Sequence, residues 1–216
     1  MHTQGLNITS PNEEGDGIVI FGKDNPNVLD NCTVDFKDIP SEYLDENISF
    51  VNGCVAVIND CTFSNGIKLA LVGNGDYPDN DKHGIVTFNN CIFENFGRRG
   101  VEAQDGITVT LNKCVIYNWG IQDRFDVRSF ASWAHSGAKI ICNECVFIQD
   151  KFWQCSIKNM IIDIANHIGN DINDKCLSWK SFLPGVCKGL FSTDNGIVEA
   201  HNCTKNRWWI YLENQI

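Results

Sequence analysis

Eleven cysteines dominate the reactive side chains of this 216-residue sequence, and the chemistry open to them is disulfide cross-linking or metal ligation. An odd count leaves a thiol over in any all-disulfide framework. Cys142-x-x-Cys145 is a lone pair at zinc-ligand spacing, with no second pair or histidine at the interval that a tetrahedral site needs. The five histidines form no His-Glu-x-x-His motif. Glycosyl hydrolysis asks for two carboxylates facing one another; Asp123 and Asp126 stand near Arg124, but no pair recurs on successive units of the chain.

The cysteines matter more for their positions than for their number. A phrase repeats at Asn31-Cys32-Thr33-Val34, Asp60-Cys61-Thr62-Phe63, Asn90-Cys91-Ile92-Phe93, Lys113-Cys114-Val115-Ile116 and Glu144-Cys145-Val146-Phe147, with a weaker copy at Asn202-Cys203-Thr204. Upstream of the phrases lie short alternating β-branched runs, among them Val55–Ile58, Ile85–Phe88, Ile107–Thr110 and Ala138–Ile141. Each unit reads as strand, bend, strand, loop. The first five cysteines of the phrase are spaced by roughly 23 to 31 residues, the coil length of a β-solenoid whose loops vary while its strands stay in phase. Stacked coils place like residues above one another at about 4.8 Å, so the phrase predicts an interior column of small apolar cysteines rather than disulfides, because side chains pointing the same way meet disulfide geometry poorly.

The architecture expected is therefore all-β: one right-handed parallel β-helix domain over residues 1–216, with stacked coils over about 14–150, a partly irregular or helical C-terminal cap over 151–195, and a final strand region over 196–216. Phe152-Trp153, the apolar run 160–164 and Trp179–Leu183 break the phase and suggest the cap, since an open solenoid end is an unpaired edge. A formal charge of −10 excludes a general nucleic-acid binder, which needs a basic phosphate-tracking surface. No run approaches the roughly 18 to 20 apolar residues of a membrane span, and Met1-His2-Thr3 does not open a signal peptide. No membrane partner is expected.

Between Cys61 and Trp119 the residues also carry a family likeness. Cys61-Thr62-Phe63-Ser64, Lys68, Val86-Thr87-Phe88, Phe93-Glu94-Asn95-Phe96-Gly97-Arg98-Arg99 and Val115-Ile116-Tyr117-Asn118-Trp119-Gly120 resemble the pectate lyases of polysaccharide lyase family 1 over roughly residues 14 to 150. The resemblance implies that Lys68 acts on the substrate and that Arg99 is the catalytic base, with Arg98 in its place if the register is shifted by one. Glu14-Gly15-Asp16 and Asp45-Glu46 resemble the family's calcium-binding acidic segments, which makes Glu14, Asp16 and Asp45 the implied Ca2+ ligands. Ser49 stands where a further carboxylate is usual, and Glu46 would compensate. The family's proline and second arginine after the catalytic one give way to Val101, Glu102 and Gln104.

The implied activity is Ca2+-assisted β-elimination on a (1→4)-linked polyuronate such as polygalacturonate. Removing the C5 proton beside a carboxylate demands that the carboxylate be neutralised, which Ca2+ and Lys68 would do. An arginine base implies activity that rises with pH, because its free pKa is about 12.5–13.8 and neighbouring cations push it down. Arg124 and Arg128 would extend the substrate-binding face. The partner expected is an acidic polysaccharide met outside the cell, the chain being secreted with its leader absent from this numbering, and monomeric by default. The alternative is a non-catalytic or weakly active glycan-binding β-helix, such as a phage tail-spike or other virion-surface module, in which case a homotrimer is the expected assembly. The lost carboxylate and arginine and the wealth of free thiols favour that alternative.

Overall fold

The residue before each repeated cysteine turns the chain. Asn31, Asp60, Asn90, Lys113, Glu144 and Asn202 all have φ between 52° and 54°, the left-handed region where Asn and Asp are tolerated best and other L-residues sit at a cost. Each corner closes one strand and opens the next, and it throws the following cysteine inward. The computed structural model describes residues 1–13, 15–20, 26–39, 43–51, 53–74, 84–119, 129–148 and 188–205.

Three strands make one coil. The first coil is β1 (His2–Gln4), β2 (Asn7–Ile8) and β3 (Ile18–Ile20); the second is β4 (Asn27–Asp30), β5 (Thr33–Asp35) and β6 (Glu46–Val51). The third is β7 (Val55–Asn59), β8 (Thr62–Ser64) and β9 (Lys68–Asn74), and the fourth β10 (Ile85–Asn89), β11 (Ile92–Phe96) and β12 (Arg99–Ala103). The fifth is β13 (Thr108–Asn112), β14 (Val115–Trp119) and β15 (Ser129–His135), the sixth β16 (Lys139–Asn143), β17 (Val146–Ile148) and β18 (Lys188–Asp194), and β19 (Ile197–His201) and β20 (Thr204–Lys205) begin a seventh. Every strand pairs in parallel with the strand three along the chain. The result is a first sheet β1-β4-β7-β10-β13-β16-β19, a second β2-β5-β8-β11-β14-β17-β20 and a third β3-β6-β9-β12-β15-β18. This is the parallel β-helix, of the right hand that parallel crossovers take.

The coil has one strand more than the sequence pattern suggested. Strands of the first sheet alternate between core and half-exposed positions, as in β7, β13 and β16, and so announce themselves. β12 is buried at all five positions and β6 at five of six, so the third sheet carries no alternation to read. The segment expected to cap the stack falls partly on Lys188–Asp194, which form β18 beside β15; residues 149–187 and 206–216 lie outside the described residues.

Inside the stack the cysteine column is present. Cys32, Cys61, Cys91, Cys114 and Cys145 are buried and Cys203 half-buried, all as free thiols. Each Sγ–H points at the carbonyl two residues earlier: Cys61 at Asn59 (3.2 Å), Cys91 at Asn89 (3.4 Å), Cys114 at Asn112 (3.5 Å) and Cys145 at Asn143 (3.5 Å). It also meets a carbonyl one coil below, Ile58 for Cys91, Phe88 for Cys114 and Leu111 for Cys145, at 3.3–3.5 Å. A small apolar side chain with a weak donor suits a corner where carbonyls converge, which is the physical reason for cysteine rather than valine there. Phe63 stacks on Phe93 at 5.5 Å, while Phe88 meets Phe93 edge-on at 5.3 Å and Phe50 at 5.7 Å. These rings fill the interior.

Outside the first sheet, the last strand position carries a ladder. Asn59 donates to Asp30, Asn89 to Asn59, Asn112 to Asn89 and Asn143 to Asn112, at 2.7–2.9 Å. Such side-chain ladders hold sheets flat and in register. Asn47 closes the corner between the second and third sheets from within, its amide donating to the Val34 and Ser64 carbonyls. Gly66 lies against it: a Cβ there would sit 1.8 Å from Asn47 Oδ1.

Candidate functional site

The outer face of the third sheet gathers the ionisable groups. Parallel register sets Glu46 beside Lys68, Lys68 beside Arg99 and Arg99 beside Phe130 on successive strands. Three positions along, Ser49, Leu71, Glu102 and Trp133 form a second row. Residues more than eighty positions apart in the chain thus share one patch.

At its lower end the patch is acidic. Lys68 Nζ donates to Glu46 Oε1 at 2.5 Å and lies 3.5 Å from Asp45 Oδ1. Asp16 Oδ1 accepts from the Glu46 backbone N–H at 3.2 Å, and the Asp16 N–H donates to Asn12 Oδ1 at 2.9 Å. Glu46 is 1% exposed. Burial pushes its carboxyl up to about 8, against the pull of the Lys68 ammonium. Burial acts downward on Lys68, but Glu46, Glu102 and Asp45 outweigh it and hold the ammonium above its ordinary range.

At the upper end Arg99 is 3% exposed. Its guanidinium lies 4.3 Å from the Trp133 ring centroid and 5.0 Å from that of Phe130, and Nη1 donates to the Arg98 carbonyl at 3.2 Å. Trp133 stacks in turn on His135 with centroids 4.4 Å apart. His135 Nε2 approaches Glu102 Oε1 at 3.3 Å, while Glu102 Oε2 is buried and has no partner among the described residues. A buried carboxylate oxygen left unpaired costs free energy that a ligand donor would recover.

The structure therefore brings together Asp16, Asp45, Glu46, Lys68 and Arg99 of the expected residues. Arg98 precedes β12, half-buried, and its buried Nε has no partner among the described residues. Glu14, Arg124 and Arg128, like Asp123 and Asp126, lie outside the described residues. Glu102, Trp133 and His135 were not singled out as site residues. Their signal was faint: Trp133 and His135 are two apart, which puts them on one face of a strand, and Glu102 was visible only as a replacement for an expected arginine.

No protein-family profile, curated protein or solved structure matches the chain. The site must be read from its own geometry.

That geometry suits an organic cation better than calcium. Ca2+ takes six to eight oxygens at about 2.3–2.6 Å. Here an ammonium already stands that close to Glu46 Oε1, and Asp16 spends Oδ1 on a backbone N–H. Among the described residues, no three His, Cys, Asp or Glu side chains are disposed as the ligands of a metal ion. As placed around Lys68, Asp16, Asp45 and Glu46 do not present the set of oxygens that Ca2+ needs; Glu14, the remaining implied ligand, lies outside the described residues.

Proposed function

We propose that the chain is a glycan-binding parallel β-helix whose third sheet presents the binding face. One observation carries this reading: Glu46, Lys68, Arg99, Glu102, Trp133 and His135 crowd one outward face. Sequestering ionisable groups costs free energy, and such groups concentrate where ligands are bound or transformed. Arg99, held over two aromatic rings, serves as a cationic anchor for the face. Glu102 Oε2 is an acceptor with no partner among the described residues, which a sugar hydroxyl would satisfy once the side chain turned outward. Asp16, Asp45 and Glu102 outnumber Lys68 and Arg99, which favours a neutral or weakly charged glycan over a densely anionic one. Titration calorimetry against a panel of neutral and acidic polysaccharides tests this. Binding that weakens about tenfold in Glu102→Gln, the loss of one charge-assisted hydrogen bond, supports it; a wild-type protein that binds no glycan on the panel removes it.

Eliminative cleavage is the second reading, favoured by the register that sets Lys68 beside Arg99. It places the two residues of the family resemblance within one pair of strands. Release of unsaturated, ultraviolet-absorbing products from polygalacturonate at alkaline pH, with added Ca2+, with chelator and with Arg99→Ala, decides it. Product that disappears with Arg99→Ala establishes a lyase, and no product from any polyuronate leaves binding.

A further inference from the structure

We infer that Lys68 is the built-in cation of the acidic pocket, so that the third-sheet face operates without a divalent metal. Three carboxylates converge at this corner of the fold. Glu46 and Asp45 both reach the Lys68 ammonium, at 2.5 and 3.5 Å, and Asp16 is tied to the Glu46 backbone. The lysine arrives there by register: β9 begins at Lys68, opposite Glu46 at the start of β6. Its side chain is only 16% exposed, so the ammonium is a fixed component of the pocket rather than a solvated surface charge.

Nζ stands at a metal-like distance from the most buried carboxylate of the group, and two cations do not share such a position, since like charges a few ångströms apart repel strongly in a partly desolvated site. A lysine differs from a metal in what it allows. It cannot be chelated, it brings one positive charge in place of two, and it holds its carboxylates through directional N–H donors. The pocket therefore keeps its shape whatever the free Ca2+ concentration. The inference goes beyond glycan binding and stands or falls separately from it, because its readouts contain no glycan.

The test uses the full chain in thermal melts with Ca2+ or with EDTA, and in luminescence titrations with Tb3+ as the calcium probe. The wild-type melting temperature is expected to be the same in both buffers, with no stoichiometric Tb3+ signal. Lys68→Met removes the ammonium and keeps the apolar stem, vacating the position among the carboxylates. This variant is expected to gain a Tb3+ signal and a Ca2+-dependent rise of about 5–10 °C at a hundredfold excess over Kd, both lost again when Asp45→Asn is added. Stoichiometric Ca2+ binding by the wild type that Asp45→Asn abolishes overturns the inference, as does a folded Lys68→Met with no gain in cation affinity. Should Lys68→Met fail to fold in EDTA, recovery of the wild-type circular dichroism in Ca2+ supports the inference, and persistent unfolding in Ca2+ overturns it.

Discussion

The first and third sheets are built on the same coils with the same parallel pairing, yet they solve the problem of their outer faces in opposite ways. The first sheet repeats one neutral hydrogen bond from rung to rung, Asn to Asn, beginning at Asp30. Its outward positions stay half-exposed, and the ladder satisfies groups that water would otherwise serve. The third sheet repeats nothing. Along one row it runs Glu46, Lys68, Arg99, Phe130, and three positions on Ser49, Leu71, Glu102, Trp133, and it buries charge. A uniform ladder serves the stack, whereas a row that changes chemistry at each rung serves something besides stacking. That difference marks the third sheet as the working face.

The sharpest way to break the comparison is to remove the Arg99 guanidinium. Arg99→Ala strips the cation from between Phe130 and Trp133 and leaves Glu102 with less compensating charge; urea denaturation should show a loss of about 3 kcal/mol. The pH profile comes next. Glu46 has a folded-state pKa raised from 4.5 to about 8, so its contribution to stability is complete below about pH 4.5 and is lost as pH rises through 8. Melting temperatures between pH 5 and pH 9 should therefore fall further in the wild type than in Glu46→Gln, which has no carboxyl to ionise. Breaking the first-sheet ladder costs less. Asn112→Ala deletes its bonds to Asn89 and from Asn143, an expected loss of about 1–2 kcal/mol with ligand binding unchanged.

The smallest effect has the opposite sign. Lys113 occupies a left-handed corner that four equivalent corners fill with Asn or Asp, and Lys113→Asn should stabilise the chain by about 0.5–1 kcal/mol. Chemical denaturation of the variant against the wild type checks this, and a loss of stability would mean that the lysine side chain contributes more than its backbone strain costs.

The same contrast governs what the sequence disclosed. The corner phrase and the alternating runs of β7, β10, β13 and β16 depend on local chemistry, an Asn-type residue in a left-handed turn followed by a small inward thiol, and local chemistry is legible in one dimension. β6, β9 and β12 escaped because nearly all their positions are buried, which erases the period of two that betrays a strand. For the site, Lys68 and Arg99 were reached through resemblance, and the structure places them side by side. His135 and Glu102 lie 33 residues apart. Their meeting is a product of coil length and register, so neither residue alone carried a sign of it. Whether Asp45 and Glu46 pair with a lysine or with an ion was not legible in the sequence, since Lys68 and these carboxylates are separated in the chain and nothing local tells which partner they take.

The cysteine column bears on how such a chain tolerates change. Cys145 and Cys203 stand 58 positions apart, about twice the interval between earlier neighbours, yet Cys203 Sγ meets the Cys142 carbonyl at 3.4 Å, the contact that Cys91, Cys114 and Cys145 make with the coil beneath them. The stack reads position in space and is indifferent to the contour length of the excursion between rungs. The 39 residues of sequence between β17 and β18 leave β18, β19 and β20 in register with β15, β16 and β17, so the phase of a coil is set by the rung beneath it and not by the length of chain that precedes it.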